Sequence, residues 1–393
     1  MRLSRLFSEF FRSEKTGGLI LLSCTLLSVL AANAPFSASY LAFWHHPLVL
    51  SLPPFRLNFT LTHWINDGLM TVFFLLVGLE IKREFYHGEL SGVRSALLPA
   101  LAAAGGMIVP ASIHFLFNRG TPTQAGFGIP MATDIAFSLG VLSLLGSGVP
   151  PSLKVFLTAL AIIDDLGAIL VIAVFYTQEI SFVYLGGSLL IFAVLLVMQR
   201  LNVTRLAVYI CAGVIMWYCM VQSGIHPTIA GVLLAFAIPF SGDGAPSPSS
   251  RLQHILHAPV AFFVLPVFAL ANTGIRFAQD WHRSFLESNS LGILSGLVIG
   301  KPLGIVLFSV CAVATGLCAL PEEMDWRQLF GTGIVAGIGF TMSIFVANLA
   351  FSDAHLVNSS VIAVLASSVA AGLIGFLFLH TGRGRDSVRN DSQ

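Results

Sequence analysis

ALAIIDDLGAI, residues 159–169, sets two adjacent carboxylates, Asp164 and Asp165, in a run that carries no other charge between Lys154 and Glu179. A helix of about 20 apolar residues crosses the ~30 Å hydrocarbon core of a bilayer. Lipid offers the backbone no hydrogen-bonding partners, so such a run is read as a helix rather than an open strand. Consecutive helical residues point about 100° apart. The two carboxylates therefore cannot face one ligand identically. One is expected to line an interior cavity, and the other to share that site or to pair with a base.

The rest of the chain has the same character. Of its 393 residues 56% are hydrophobic and 10% charged, whereas soluble globular proteins carry roughly 25% charged residues. Charge-free stretches long enough to span recur at residues 16–55, 206–242, 252–275, 302–321, 328–352 and 354–382. A lipid bilayer is the implied surrounding. The net charge of +1, without a dense basic patch outside the tail, gives no footprint for nucleic acid. Five cysteines, all inside apolar runs and without a CxxC pair, read as small hydrophobic residues. No cofactor motif is found.

Apolar runs read against Gly, Pro and charge punctuation place twelve helices near 14–33, 60–85, 96–117, 123–145, 151–176, 182–199, 206–219, 224–238, 252–274, 290–312, 328–350 and 357–380. The expected class is an all-α polytopic membrane protein, one transporter domain over residues 1–393. The apolar core of the first run is too long for a cleaved signal. With the N-terminus inside, 15 basic residues fall on inner segments and 4 on outer ones. That bias sets residues 1–13 and both termini in the cytoplasm, with a disordered tail over 381–393. Residues 34–59 form an outer, periplasmic loop. Alternation around Pro53–Pro54 suits a short β-hairpin there, and an irregular loop fits as well. A hairpin edge could pair with a second copy.

Lys301, in IGKPLGI, is the basic residue that this alternation leaves over, in mid-span. With Asp134, Asp164 and Asp165 it would cost roughly 10 kcal/mol facing lipid, as much as the net stability of a whole domain. Such groups face an interior. Asp134 lies in GFGIPMATDIAF, where Gly126, Gly128 and Pro130 interrupt a helical run. Either Thr133-Asp134 caps an ordinary kink, or the helix is broken and Asp134 answers half-helix dipoles. GTGIVAGIGFTMS, with Gly337 and Gly339, is a second interruption, and small residues for close packing explain it too. Each interruption is the middle of a three-span unit, spans 3–5 and 10–12. The offset of seven gives the two units opposite topology. Inverted repeats with broken helices are a described feature of several transporter folds.

Asp67 opens the second span. Glu80, Lys82, Arg83 and Glu84 close it, and a solvated helix end is one reading of those four. His226 stands in SGIHPTIAGV, and His254 and His257 share a face near the start of span nine, where a third metal ligand is lacking. A carboxylate pair in a poorly solvated cavity takes up protons as one coupled unit, and a hard cation competes for the same oxygens. Such competition at a site opened alternately to each side is exchange. A cation-coupled solute symporter, an intramembrane aspartyl protease and a passive cation channel are the rival readings. The quoted motifs supply little for an organic substrate, the protease signature GxGD is absent, and a lone lysine beside titratable acids suits occluded exchange better than a pore.

From Phe7 to His380 the sequence resembles the NhaA family of bacterial sodium/proton antiporters, through WINDGLMTVFFLLVGLEIKRE, GIPMATDIAFSLG, LKVFLTALAIIDDLGAI, SGIHPTIAGV, IGKPLGI and GIGFTMSIFVANLAF. That family is itself one of the described cases of inverted repeats with broken helices. The resemblance implies a homodimeric twelve-helix antiporter of the inner membrane, not an enzyme, with helices 4 and 11 interrupted. It implies that Asp164 and Asp165 bind Na⁺, Li⁺ and H⁺, with Asp165 the main cation ligand. Lys301 would pair with Asp164, and Thr133 and Asp134 would stand at the helix crossing. Asp67, Glu80, His226, His254 and His257 match positions linked to the ion funnel and the pH response. Exchange of about two protons inward per Na⁺ outward, activated as pH rises, is implied likewise. In RLQHILH, Gln253 replaces the glutamate common in the family, and an amide cannot titrate. The pH set point is therefore not carried over.

Overall fold

The computed structural model describes residues 2–52, 55–88, 91–146, 149–177, 179–241, 247–277, 281–321 and 324–390. Among these, eight helices are long and apolar enough to cross a membrane, or ten when each of two sharply bent pairs counts as one span. In chain order the elements are α1 (Arg2–Ala32), α2 (Ser37–Trp44), β1 (Pro47–Leu52), β2 (Phe55–Thr60), α3 (Leu61–His87), α4 (Val93–Asn118), a 3₁₀ helix (Pro122–Met131) and α5 (Ile135–Leu144). They continue as α6 (Pro151–Phe175), α7 (Phe182–Arg200), α8 (Leu206–Ser223), α9 (Thr228–Ala237), α10 (Pro248–Asn272), α11 (Ser288–Ala314), α12 (Trp326–Ala336), α13 (Phe340–Ala350) and α14 (Ala354–Asn390). Two compact units result. One holds Met1–Gly18, Glu89–Ala168 and Phe277–Gln393, the other Leu19–Gly88 and Ile169–Arg276.

In the first unit α4 and α11 cross at two glycines. A Cβ on Gly105 would stand 2.2 Å from the Gly304 carbonyl oxygen, and one on Gly304 2.1 Å from that of Gly105. Only glycine permits such an approach, the small-residue packing by which helices associate where lipid removes the usual hydrophobic drive. α4 carries Pro99 and Pro110 within its length, and α11 contains a π-helical turn, Gly296–Gly300, directly before Lys301. A π turn inserts one residue into the helical register and re-aims the side chains beyond it. Lys301 is thus set at the middle of α11 facing inward.

In the second unit the core gathers Leu79 of α3, Leu195 of α7, Tyr209 and Met216 of α8, and Leu234 of α9. β1 and β2 form an antiparallel hairpin with Leu50 opposite Leu57; Pro53–Pro54, on which the alternation pattern centres, lies outside the described residues. A helix not read from the sequence, α2, precedes the hairpin. The Tyr40 hydroxyl holds it, lying 2.8 Å from the Leu270 carbonyl oxygen and 2.9 Å from Ser28 Oγ.

Two boundaries differ from expectation. α1 begins at Arg2 rather than near residue 14. The segment from 381, expected to be disordered, continues the helix α14 to Asn390, and only 391–393 of it lie outside the described residues. Adding a residue to an existing helix costs far less than nucleating one, so apolar spans extend into polar flanks.

Candidate ion-binding site

The site forms where two interrupted helices meet inside the first unit. The 3₁₀ helix and α5 are bent by 45° across a short break, and α12 and α13 by 47°. Pro130, which lacks an N–H, sits at the end of the 3₁₀ helix, and Gly337 and Gly339 flank the second break. A Cβ on Gly337 would lie 2.4 Å from the Leu297 carbonyl oxygen of α11, so the second break needs glycine where it meets α11.

Each break leaves orphan N–H groups at one helix start and orphan carbonyls at one helix end, with the matching partial charges. Asp134 answers both starts. Its Oδ1 accepts from the Phe137 N–H of α5 at 3.0 Å, and its Oδ2 accepts from the Thr341 N–H of α13 at 3.1 Å and from the Thr341 hydroxyl. The Asp134 N–H donates to the Ile338 carbonyl at 2.7 Å, which stitches the two breaks together. Hydroxyls and an ammonium answer the ends. Lys301 Nζ donates to the Met131 carbonyl that closes the 3₁₀ helix. Ser138 Oγ donates to Val335 at 3.2 Å, and Ser343 Oγ to Ile129 at 2.7 Å.

The paired carboxylates of α6 enter this crossing. Asp164 and Lys301, both 0% exposed, form an ion pair with Oδ2 2.8 Å from Nζ. Thr133 Oγ1 lies 2.8 Å from the same Asp164 oxygen and 3.0 Å from the Ala336 carbonyl; its single proton can serve either. Asp164 Oδ1 is buried without a hydrogen-bond partner among the described residues. Asp165 is buried as well, and its charge acts on the same ammonium. With Asp134 answered by two helix starts, two acids and one base remain. That set is balanced by one added monovalent cation or by one proton.

Thus the structure brings together Thr133, Asp134, Asp164, Asp165 and Lys301, with Pro130, Gly337 and Gly339 shaping the breaks. Ser138 and the carbonyls of Met131 and Ala336 were missed by the sequence reading. A hydroxyl one turn beyond each break is the signal that could have found Ser138. The remaining candidates lie in the second unit, as two groups along α3. Near its start Asp67, in a π turn (Trp64–Leu69), pairs with His63 Nε2 at 2.8 Å and lies 4.0 Å from His226 Nδ1. His63 was also missed, although its i,i+4 spacing to Asp67 was visible. About 20 Å further along α3, at 1.5 Å per residue, the Glu80 side chain stands beside Gln253 of α10. His254 and Arg83 act on His257 through their charges. The end of α3 is not a solvated helix end at Lys82, which is 3% exposed, because its ammonium finds backbone carbonyls within the unit.

A sequence profile described as Na⁺/H⁺ antiporter 1 matches residues 8–379. The chain belongs to that Na⁺/H⁺ antiporter family. This antiporter is 58% identical over 382 residues to the Na⁺/H⁺ antiporter NhaA of Dechloromonas aromatica (strain RCB), covering 96% of each chain. It is 55% identical over 379 residues to Na⁺/H⁺ antiporter NhaA 1 of Flavobacterium johnsoniae, covering 96% of this chain and 97% of that one. Its fold is similar to the sodium proton antiporter MjNhaP1 of Methanocaldococcus jannaschii at pH 8, with a TM-score of 0.55 and 12% identity over 98% of this chain and 99% of that one. The antiporter is therefore a multi-pass membrane protein and a secondary transporter rather than an enzyme.

Proposed function

We propose that the antiporter exports cytoplasmic Na⁺ or Li⁺ in exchange for external H⁺, and that Asp164, Asp165 and Lys301 carry the exchange. The observation that supports this most is the fully buried Asp164–Lys301 pair at the crossing of two broken helices. Asp165 is the main cation ligand, joined by the second oxygen of Asp164. A cation arriving at these oxygens competes with the Lys301 ammonium for Asp164. When the cation leaves, protons or the ammonium restore the balance of charge in a cavity that cannot leave it unbalanced. Asp134 and Thr133 keep the helix ends neutralised as the site opens to alternate sides. Hard oxygens suit an alkali cation.

In this reading the chain crosses the bacterial inner membrane twelve times, with both termini cytoplasmic and the hairpin periplasmic. α4 to α6 and α11 to α14 form inverted repeats, and two copies make a homodimer. Exchange is electrogenic, about two protons per Na⁺, and pH-regulated through Asp67, Glu80, His226, His254 and His257. Gln253 places a neutral amide beside Glu80 where the family's glutamate would add a charge. Asp165→Asn is expected to abolish Na⁺-driven proton movement in everted vesicles while the protein still reaches the membrane; near-normal activity would refute the assignment.

A further inference from the structure

α9 has ten residues, too few for an isolated helix to hold its shape, and it ends at a buried site. Ala235, Ala237 and Ile238 are each 0% exposed. The carbonyls that close the helix thus face an apolar surrounding, where an unmet acceptor is costly. Lys82 of α3 meets them. Its Nζ donates to Phe236 at 2.8 Å, to Ile238 at 2.5 Å and, more loosely, to Ala235 at 3.5 Å. An ammonium has three donors, and positive charge is favoured at a helix C-terminus.

The rest of α9 lies against the same helix. A Cβ on Gly231 would stand 2.3 Å from the Thr71 carbonyl oxygen, and one on Gly78 2.7 Å from the Ala235 Cβ. Just before the start of α9, His226 faces Asp67 of α3 at 4.0 Å, and Trp217 Nε1 donates to the Asp67 carbonyl at 2.9 Å. Asp67 and Lys82 are about 22 Å apart along α3 at 1.5 Å per residue, so they bracket α9. Close glycine contacts hold the middle of α9 against α3, and Lys82 holds its end.

We infer that Lys82 is a positioning residue that fixes α9 against α3 and thereby sets the His226–Asp67 contact. The inference rests on the reading that this contact takes part in the pH response. The titratable and charged groups at that contact are His63 and Asp67 of α3 and His226. Those near Lys82 are Glu80, Arg83 and Glu84 of its own helix, and Arg83 in turn acts on His257 of α10, as His254 does.

The full-length protein in membranes tests this with two readouts, backbone hydrogen exchange over residues 228–238 and the pH profile of Na⁺-driven proton movement. In Lys82→Met, exchange over 228–238 is expected to quicken by about tenfold and the half-activation pH to shift by about one unit; Lys82→Arg should restore both. Unchanged exchange overturns the clamp. Quickened exchange with an unshifted profile overturns the positioning role if His226→Ala does shift the profile. If His226→Ala shifts nothing either, the pH-response reading of the pair falls, and the clamp stands on its exchange signature. Should Lys82→Met fail to reach the membrane, Gly78→Ala loosens the same crossing from its middle and must give both changes.

Discussion

At the residue scale, the site turns on buried charges that are answered one by one. Asp164 accepts from Lys301 and Thr133 through one oxygen and keeps the other for a further partner. Removing one member of a buried pair leaves an uncompensated charge, at a cost of about 3–5 kcal/mol. Lys301→Ala is therefore expected to lower the melting temperature in detergent and to change the pH profile of exchange; a protein that melts and titrates as before would count against the pair. Thr133→Val is milder. It removes the one hydroxyl proton that serves either Asp164 or the Ala336 carbonyl, about 1–3 kcal/mol, and should raise the Na⁺ concentration needed for half-maximal exchange. The identity of these residues could be read from the sequence, because four charges in mid-span demand an interior role. The residues alone did not give their pairing, and Asp164 with Lys301 came only from the family resemblance. Adjacent positions on one helix left open which carboxylate meets Lys301, and a distance across helices decides that.

At the element scale, the breaks matter more than the lengths. The sequence marks both interruptions through Pro130 and the Gly337–Gly339 pair, yet an ordinary kink fits the first and close helix packing by small residues fits the second. What distinguishes a broken helix is that the freed ends meet each other, as Asp134 does by capping α5 and α13 together. The α4–α11 crossing carries a separate expectation. Gly304→Val would press two side-chain methyls and a Cβ into a carbonyl that lies 2.1 Å from the Cβ position, so little folded protein should be recovered by size-exclusion chromatography. Gly140→Ala, in α5, meets nothing within 4 Å and should behave as the parent does. Equal yields from the two would show that close contact is not what holds the crossing. The same element view explains Lys82. Its position in a charged run suggested solvent, and only the packing of α9 on α3 brings carbonyls to it.

At the scale of the whole molecule, the bias of basic residues predicts the side of each end. A reporter fused after Gln393 should be active only in its cytoplasmic form, and a periplasmic signal would reverse the orientation. If exchange moves net charge, an imposed membrane potential should change its rate in proteoliposomes; indifference to potential would point to electroneutral exchange.

What the sequence by itself determined is the membrane class, the near positions of the apolar helices, the family and the identity of the buried ionisable residues. These come from composition and order along the chain, since lipid excludes charge wherever it has no use. The family resemblance already implied Asp164 with Lys301; only the tertiary structure decided the other meetings: Asp164 with Thr133, Asp134 with two helix starts, His63 with Asp67, and Lys82 with the end of α9. Those contacts depend on how helices distant in sequence cross. Glycine contacts and π turns set that geometry, and a pattern along one chain does not encode distances across it.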